Sequence, residues 1–108
     1  MHMTTFLQDK RLTIALNGEI DNHGAKITFQ GIADMIDQYM PMTSVLDFKG
    51  VTFMDSSGLA IVIHTYRRMK EIGGSIKLRH VAMQPWKVLH AAGVDRIVET
   101  ERKETNEV

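Results

Sequence analysis

A strand that runs directly into a helix through Asp55-Ser56-Ser57-Gly58 constrains this chain more than any other segment. Residues 44–48 read as a short buried strand, Lys49-Gly50 interrupts it, and Val51, Thr52, Phe53 and Met54 lead on to the turn. From Leu59 onward apolar residues recur at helical spacing, with Leu59, Val62, Ile63, Tyr66 and Met69 on the inner face. The turn therefore places two hydroxyls and a carboxylate at a helix N-terminus. Free backbone N–H groups and the positive end of the helix dipole collect there. Such a position accepts a phosphate, whether bound or attached to serine.

The rest of the chain supplies matching elements. Phe6-Leu7-Gln8 and residues 12–16 flank a polar Asp9-Lys10-Arg11 and predict a two-strand hairpin, with Leu12, Ile14 and Leu16 on one face. Residues 17–22 read as a loop in which Asp21 or Asn22 can cap the next helix. That helix is expected over residues 24–40, with Ala25, Phe29, Ile32, Ala33, Ile36 and Met40 as its buried stripe, and Pro41 ends it. Gly73-Gly74 closes the second helix. Residues 75–79 alternate as a strand, residues 85–92 form a third helix with Pro85 in its first turn, and Ile97-Val98 add a last strand. Strands alternating with helices predict an α/β fold: a mixed, mostly parallel sheet with helices packed on it and an N-terminal β-hairpin. Functional residues in such sheets gather beyond the carboxyl ends of the strands, where the Asp55 turn lies. The loop holding Asp21 follows a strand too, so Asp21 is expected near Ser56.

Composition narrows the functional classes. A chain of 108 residues is one ordinary domain, expected over residues 1–99 with a polar, frayed tail at 100–108. Thirteen Lys plus Arg balance thirteen Asp plus Glu, which argues against a general nucleic-acid or anionic-membrane binder. With no cysteine, thiol chemistry and cysteine metal sites are excluded. The N-terminal residues do not read as a signal peptide, and the longest strictly apolar run, 59–63, is far too short for a membrane span; the cytoplasm is the expected location. The histidines at 2, 23, 64, 80 and 90 show no paired ligand spacing, so neither a metal nor any other cofactor is expected.

The turn admits a plain reading: Asp55 or Ser56 caps the helix and Gly58 relieves crowding. Three capping-type residues in a row exceed what one cap requires. A serine nucleophile would call for a base and commonly a Gly-x-Ser-x-Gly elbow, and Met54 stands where that elbow's first glycine would be aligned. A receiver-type phosphoaspartate at Asp55 would need a pair of acids after the first strand, and Asp9 is alone. His64 reads as a helix-surface histidine, and Arg67, Arg68 and Lys70 as a solvated basic face. Of the eight methionines, Met35, Met40, Met42, Met54, Met69 and Met83 fit the core or its edges, and Trp86 reads as packing near the third helix.

Gly18-Glu19-Ile20-Asp21, then Phe53-Met54-Asp55-Ser56-Ser57-Gly58-Leu59, then Ile72-Gly73-Gly74 resemble the STAS domain, most closely the bacterial anti-sigma factor antagonists, over residues 5–98. The resemblance implies a STAS fold and a regulatory switch protein that is not itself an enzyme. It makes Ser56 the phosphorylation site. It implies a partner surface of Asp21, His23, Asp55, Ser56, Ser57, Gly58 and Leu59. The implied partners are a GHKL-type serine kinase that is also the anti-sigma factor, bound only while Ser56 is unphosphorylated, and a PP2C-type phosphatase that resets the switch. A STAS regulator with another output, such as biofilm or exopolysaccharide control, would use the same surface. Ala60 departs from the pattern, in which glycine is frequent.

Overall fold

The computed structural model describes residues 2–103. Its elements are β1 (His2–Gln8), β2 (Arg11–Ile20), α1 (Asn22–Tyr39), β3 (Thr43–Met54), α2 (Ser56–Glu71), β4 (Ser75–Val81), α3 (Met83–Ala91), a 3-10 turn (Val94–Arg96) and β5 (Glu99–Arg102). The five strands lie in sequence order in one sheet. β1 and β2 are antiparallel, and β2 to β5 are parallel. The expected mixed, mostly parallel α/β architecture with its hairpin is therefore present.

Helices α1 and α2 pack together, as do α2 and α3, and all lie on one face of the sheet. That is the outcome when successive parallel strands add side by side through crossovers of one hand. Register makes the two faces chemically different. Leu12, Ser44 and Ile76 stand in one row across β2, β3 and β4, and Ile14, Leu46 and Leu78 in another. These side chains are buried beneath the helices and form one core with Ile32, Ile36, Ile61, Val62 and Met69. Each such aliphatic side chain is worth about 1.5–3 kcal/mol of burial. The alternate rows face away. There Ala15, Asp47 and Arg79 align, as do Thr13, Val45, Lys77 and Glu99. Ion pairs on this face join Lys77 to Glu99 and Glu101, and His80 Nδ1 is hydrogen-bonded to Asp47 Oδ1 at 2.9 Å.

Several boundaries differ from those read off the sequence. The loop expected at 17–22 is strand as far as Ile20, with register shifts between Ala15 and Asn17 and between Gly18 and Glu19. Polar residues survive in β2 there because its pairing with β3 continues through these irregularities. The two apolar runs flanking Lys49-Gly50 are one strand, β3. Helix α1 starts at Asn22 rather than Gly24 and stops at Tyr39; Met40 takes the left-handed conformation (φ 44°) ahead of Pro41 and is 55% exposed, outside the stripe. In α2 the buried residues are Gly58, Ile61, Val62, Thr65 and Met69, while Leu59, Ile63 and Tyr66 only flank the core. Thr65 is admitted because its hydroxyl donates to the Ile61 carbonyl at 2.7 Å. Met42 and Met83 are largely exposed, unlike Met54 and Met69. Arg68 is not merely solvated: its Nε donates to Asp37 of α1 at 2.9 Å and Nη1 to Glu71 at 3.0 Å, and the Asp37 bond and charge raise its pKa.

Helix α3 begins at Met83, two residues ahead of Pro85. The last strand forms at Glu99–Arg102 rather than at 97–98, where Ile97 is exposed. Thr100 and Arg102, in the stretch expected as a frayed tail, pair with β4 instead; residues 104–108 lie outside those described.

Candidate functional site

The carboxyl ends of β2 and β3 lie side by side, with Ile20 opposite Met54. Each strand ends in an aspartate that opens a helix. Asp21 is the N-cap of α1 and accepts from the His23 N–H at 3.0 Å; Asp55 is the N-cap of α2 and accepts from the Ser57 N–H at 2.7 Å. The Asp55 N–H donates to the Ile20 carbonyl at 3.1 Å, so the second turn is tied to the strand end that launches the first. The Ser57 hydroxyl reaches Asn22 Oδ1 at 3.4 Å, between residues 35 apart in sequence. Two helix N-termini thus open at one edge of the sheet, each with an acidic cap against its positive dipole end.

This arrangement assigns the three polar residues of the turn separate tasks. Asp55, half-buried, is the cap. Ser57, half-buried, faces Asn22. Ser56 is exposed at the first helical position. The cap is therefore Asp55 alone, which leaves the Ser56 hydroxyl outside the capping bonds. Gly58 is buried, and a Cβ there would stand 2.6 Å from Met54 Sδ and 3.0 Å from Ile20 Cγ2. Close approach of α2 to the two strand ends requires glycine. Asp21 and His23 are exposed, and Leu59 is half-buried against the core.

Next to the turn, a groove of about 270 Å³ runs between α1 and α2, lined in part by Asn22, Lys26, Phe29, Ser57, Ala60 and His64. The Phe29 and His64 rings meet across it with centroids 5.2 Å apart. Ala60 is exposed on this groove, so a methyl here shapes the surface beside Ser57. All seven residues singled out in the sequence belong to the two helix starts. Asn22 and Gln84 were not singled out. Asn22 was visible only as a possible cap; Gln84, which bonds both backbone polar groups of Met54, sits 30 residues from it and leaves no local signal.

Among the described residues no group of His, Asp or Glu is arranged to hold a metal ion, and no helix is long and apolar enough to cross a membrane.

The family described as "Mlab, STAS domain" matches residues 3–99. The chain is 26% identical over 92 residues to the anti-sigma-B factor antagonist of Bacillus subtilis (strain 168), covering 85% of this chain and 83% of that protein. In structure it is similar to the anti-sigma factor antagonist SpoIIAA in its unphosphorylated form, with a TM-score of 0.81 at 24% identity, covering 97% of this chain and 90% of the other. It is also similar to the Bacillus cell fate determinant SpoIIAA in the phosphorylated form, with a TM-score of 0.74 at 24% identity, covering 97% and 93%.

Proposed function

Because the chain belongs to the STAS domain family, we propose that it is a partner-switching regulator of the anti-sigma factor antagonist type, controlled by phosphorylation of Ser56. The observation that carries this reading is the division of labour at the turn: Asp55 caps, Ser57 faces Asn22, and Ser56 stands exposed where two helix N-termini meet. The antagonist name of the Bacillus relative supports the same role.

In this reading the unphosphorylated surface, Asp21, His23, Asp55, Ser56, Ser57, Gly58 and Leu59, docks on a GHKL-type serine kinase that is also an anti-sigma-type factor. The kinase brings ATP and magnesium. The Ser56 oxygen forms the new bond to the γ-phosphorus, the bond from that phosphorus to the β,γ-bridging oxygen breaks, and the hydroxyl proton leaves to a base on the kinase. Ser56 is a substrate, and this protein supplies no catalytic base. The product adds about −1.5 to −2 charges beside Asp55 on the docking face. Repulsion and the cost of burying a phosphate release the partner, while the positive helix end stabilises phosphoserine in the free protein. A PP2C-type phosphatase restores the serine. Capture of partners from native extract, followed by reaction with the captured kinase and phosphosite mapping, tests the assignment. Modification is expected at Ser56; modification only at Ser57 or elsewhere defeats it.

Asp21 has a second duty in this scheme, as a carboxylate for a basic residue of the kinase. Asp21→Asn keeps the oxygen that caps α1 and removes the charge. The melting temperature should hold while kinase affinity falls roughly tenfold, the scale of a lost charge-assisted bond. Unchanged affinity at low and moderate salt would assign Asp21 to capping alone.

A further inference from the structure

Pairing between β3 and β4 ends at Asp47 with Arg79, yet β3 continues to Met54. On its other side β3 stays paired with β2 as far as Ile20 and Met54. The last stretch of β3 therefore has a strand partner on one side and none on the side toward β4. At its final residue a side chain takes the missing strand's place. Gln84 of α3 accepts from the Met54 N–H through Oε1 at 2.9 Å and donates from Nε2 to the Met54 carbonyl at 2.7 Å. A primary amide offers a donor and an acceptor side by side, as a strand peptide does, and the two bonds are the pair that an adjoining strand would make. They are half-buried, and Gln84 does not cap its own helix, whose N-cap, Ala82, makes no side-chain bond.

The residue clasped in this way immediately precedes the turn. Met54 is fully buried against Gly58, Asp55 follows it with its N–H on Ile20 and its carboxylate on Ser57, and Ser56 comes next. We propose that Gln84 is a positioning residue for the Ser56 turn: it holds the end of β3 from the side of α3 and so sets the place of Asp55 and the presentation of Ser56. The proposal rests on the reading of Ser56 as phosphoacceptor. It makes α3 the third element of the switch after α1 and α2, through one side chain.

Two variants of the full chain separate positioning from mere packing. Gln84→Met keeps the length, the apolar stem and nearly the helix propensity, and removes both polar groups. Gln84→Glu keeps the acceptor, but an ionised carboxylate opposes the Met54 carbonyl; once protonated, near its ordinary pKa of about 4.3, its O–H donates and the pair is restored. Amide exchange and chemical shifts are followed by NMR, with wild type as reference at each pH. In Gln84→Met the Met54 amide should exchange roughly tenfold faster or more. The signals of Asp55, Ser56 and Ser57 should move, while those of Ile14 and Leu46 hold. Phosphorylation by the captured kinase should slow several-fold. Gln84→Glu should behave like Gln84→Met at pH 7 and return toward wild type near pH 4. Unchanged Met54 exchange in Gln84→Met, or a Gln84→Glu spectrum that matches Gln84→Met at both pH values, overturns the clasp. The two readings fail separately. Wild type left unmodified at Ser56 while Met54 exchange responds defeats the phosphoswitch alone. Wild type modified at Ser56 with exchange and rate both indifferent to Gln84 defeats the clasp alone.

Discussion

Ser56→Ala should hold the partner kinase as tightly as the unphosphorylated wild type and should not let go when ATP is supplied. Its fold should be unaffected. The carboxylate of Asp55, not the Ser56 hydroxyl, accepts from the Ser57 N–H at the start of α2, so losing the hydroxyl removes no cap. Alanine is also the better helix former, and the change in stability should stay within about 0.5 kcal/mol. Phosphorylation of wild type should weaken binding roughly 5- to 150-fold, the range of an ordinary coupling energy. Ser56→Asp should fall at the weaker end of that range, because a carboxylate carries less charge and fewer acceptor atoms than a phosphate. Asp55→Ala provides the contrast: it removes the cap and should cost about 0.5–2 kcal/mol of stability. Titration calorimetry and thermal melts decide among these. Ser56→Asp binding as tightly as wild type would refute electrostatic release.

The largest loss of stability is expected at Gly58. A side chain there meets Met54 and Ile20, both fully buried, at the point where α2 touches the ends of β3 and β2. Neither neighbour can move into solvent without opening the core. Gly58→Val should therefore destabilise by about 2–3 kcal/mol, the upper part of the usual range for an overfilled core, and lower the melting temperature by on the order of 10 °C. Gly58→Ala should cost less, because its gain in helix propensity of about 1 kcal/mol offsets part of the clash. If Gly58→Val melts with wild type, α2 does not need this approach. The same displacement carries Asp55 and Ser56 with it, so partner affinity should fall along with stability.

Periodicity carried most of the element order into the sequence. Leu12, Ile14 and Leu16 alternate because one face of β2 lies under α1, and Val62 and Met69 repeat at helical spacing because one side of α2 lies on the sheet. The turn was legible for the same reason: an apolar strand passes straight into an amphipathic helix, and the polar residues between them have nowhere else to be. What stayed hidden depended on partners far away in sequence. Asn17 and Gly18 look like a loop, and only pairing with β3 makes them strand. Ile61 and Thr65 carry the centre of the α2 stripe, but Thr65 reads as polar until its hydroxyl is seen bonded within the helix. Met40 has the right spacing for a core position, and Pro41 turns the chain before it can be used. Asp55 and Ser56 both suit a cap by residue type, and only the folded turn, which aims the Asp55 carboxylate at the Ser57 N–H, separates them.

Strand order β1-β2-β3-β4-β5 lets the sheet grow at one edge as the chain leaves the ribosome. Each new strand lies down beside the one made just before it, and none must be threaded between two already joined. Synthesis runs from the N-terminus, so early segments can dock while later ones are still being made. The hairpin, α1, β3 and α2 are all complete by Glu71, and with them Asp21, Asp55 and Ser56. Gln84 emerges afterwards, once β4 has been made. A nascent chain can thus display Ser56 before the Gln84 amide that bonds Met54 has been made, and the end of β3 gains that pair of bonds only once α3 has followed.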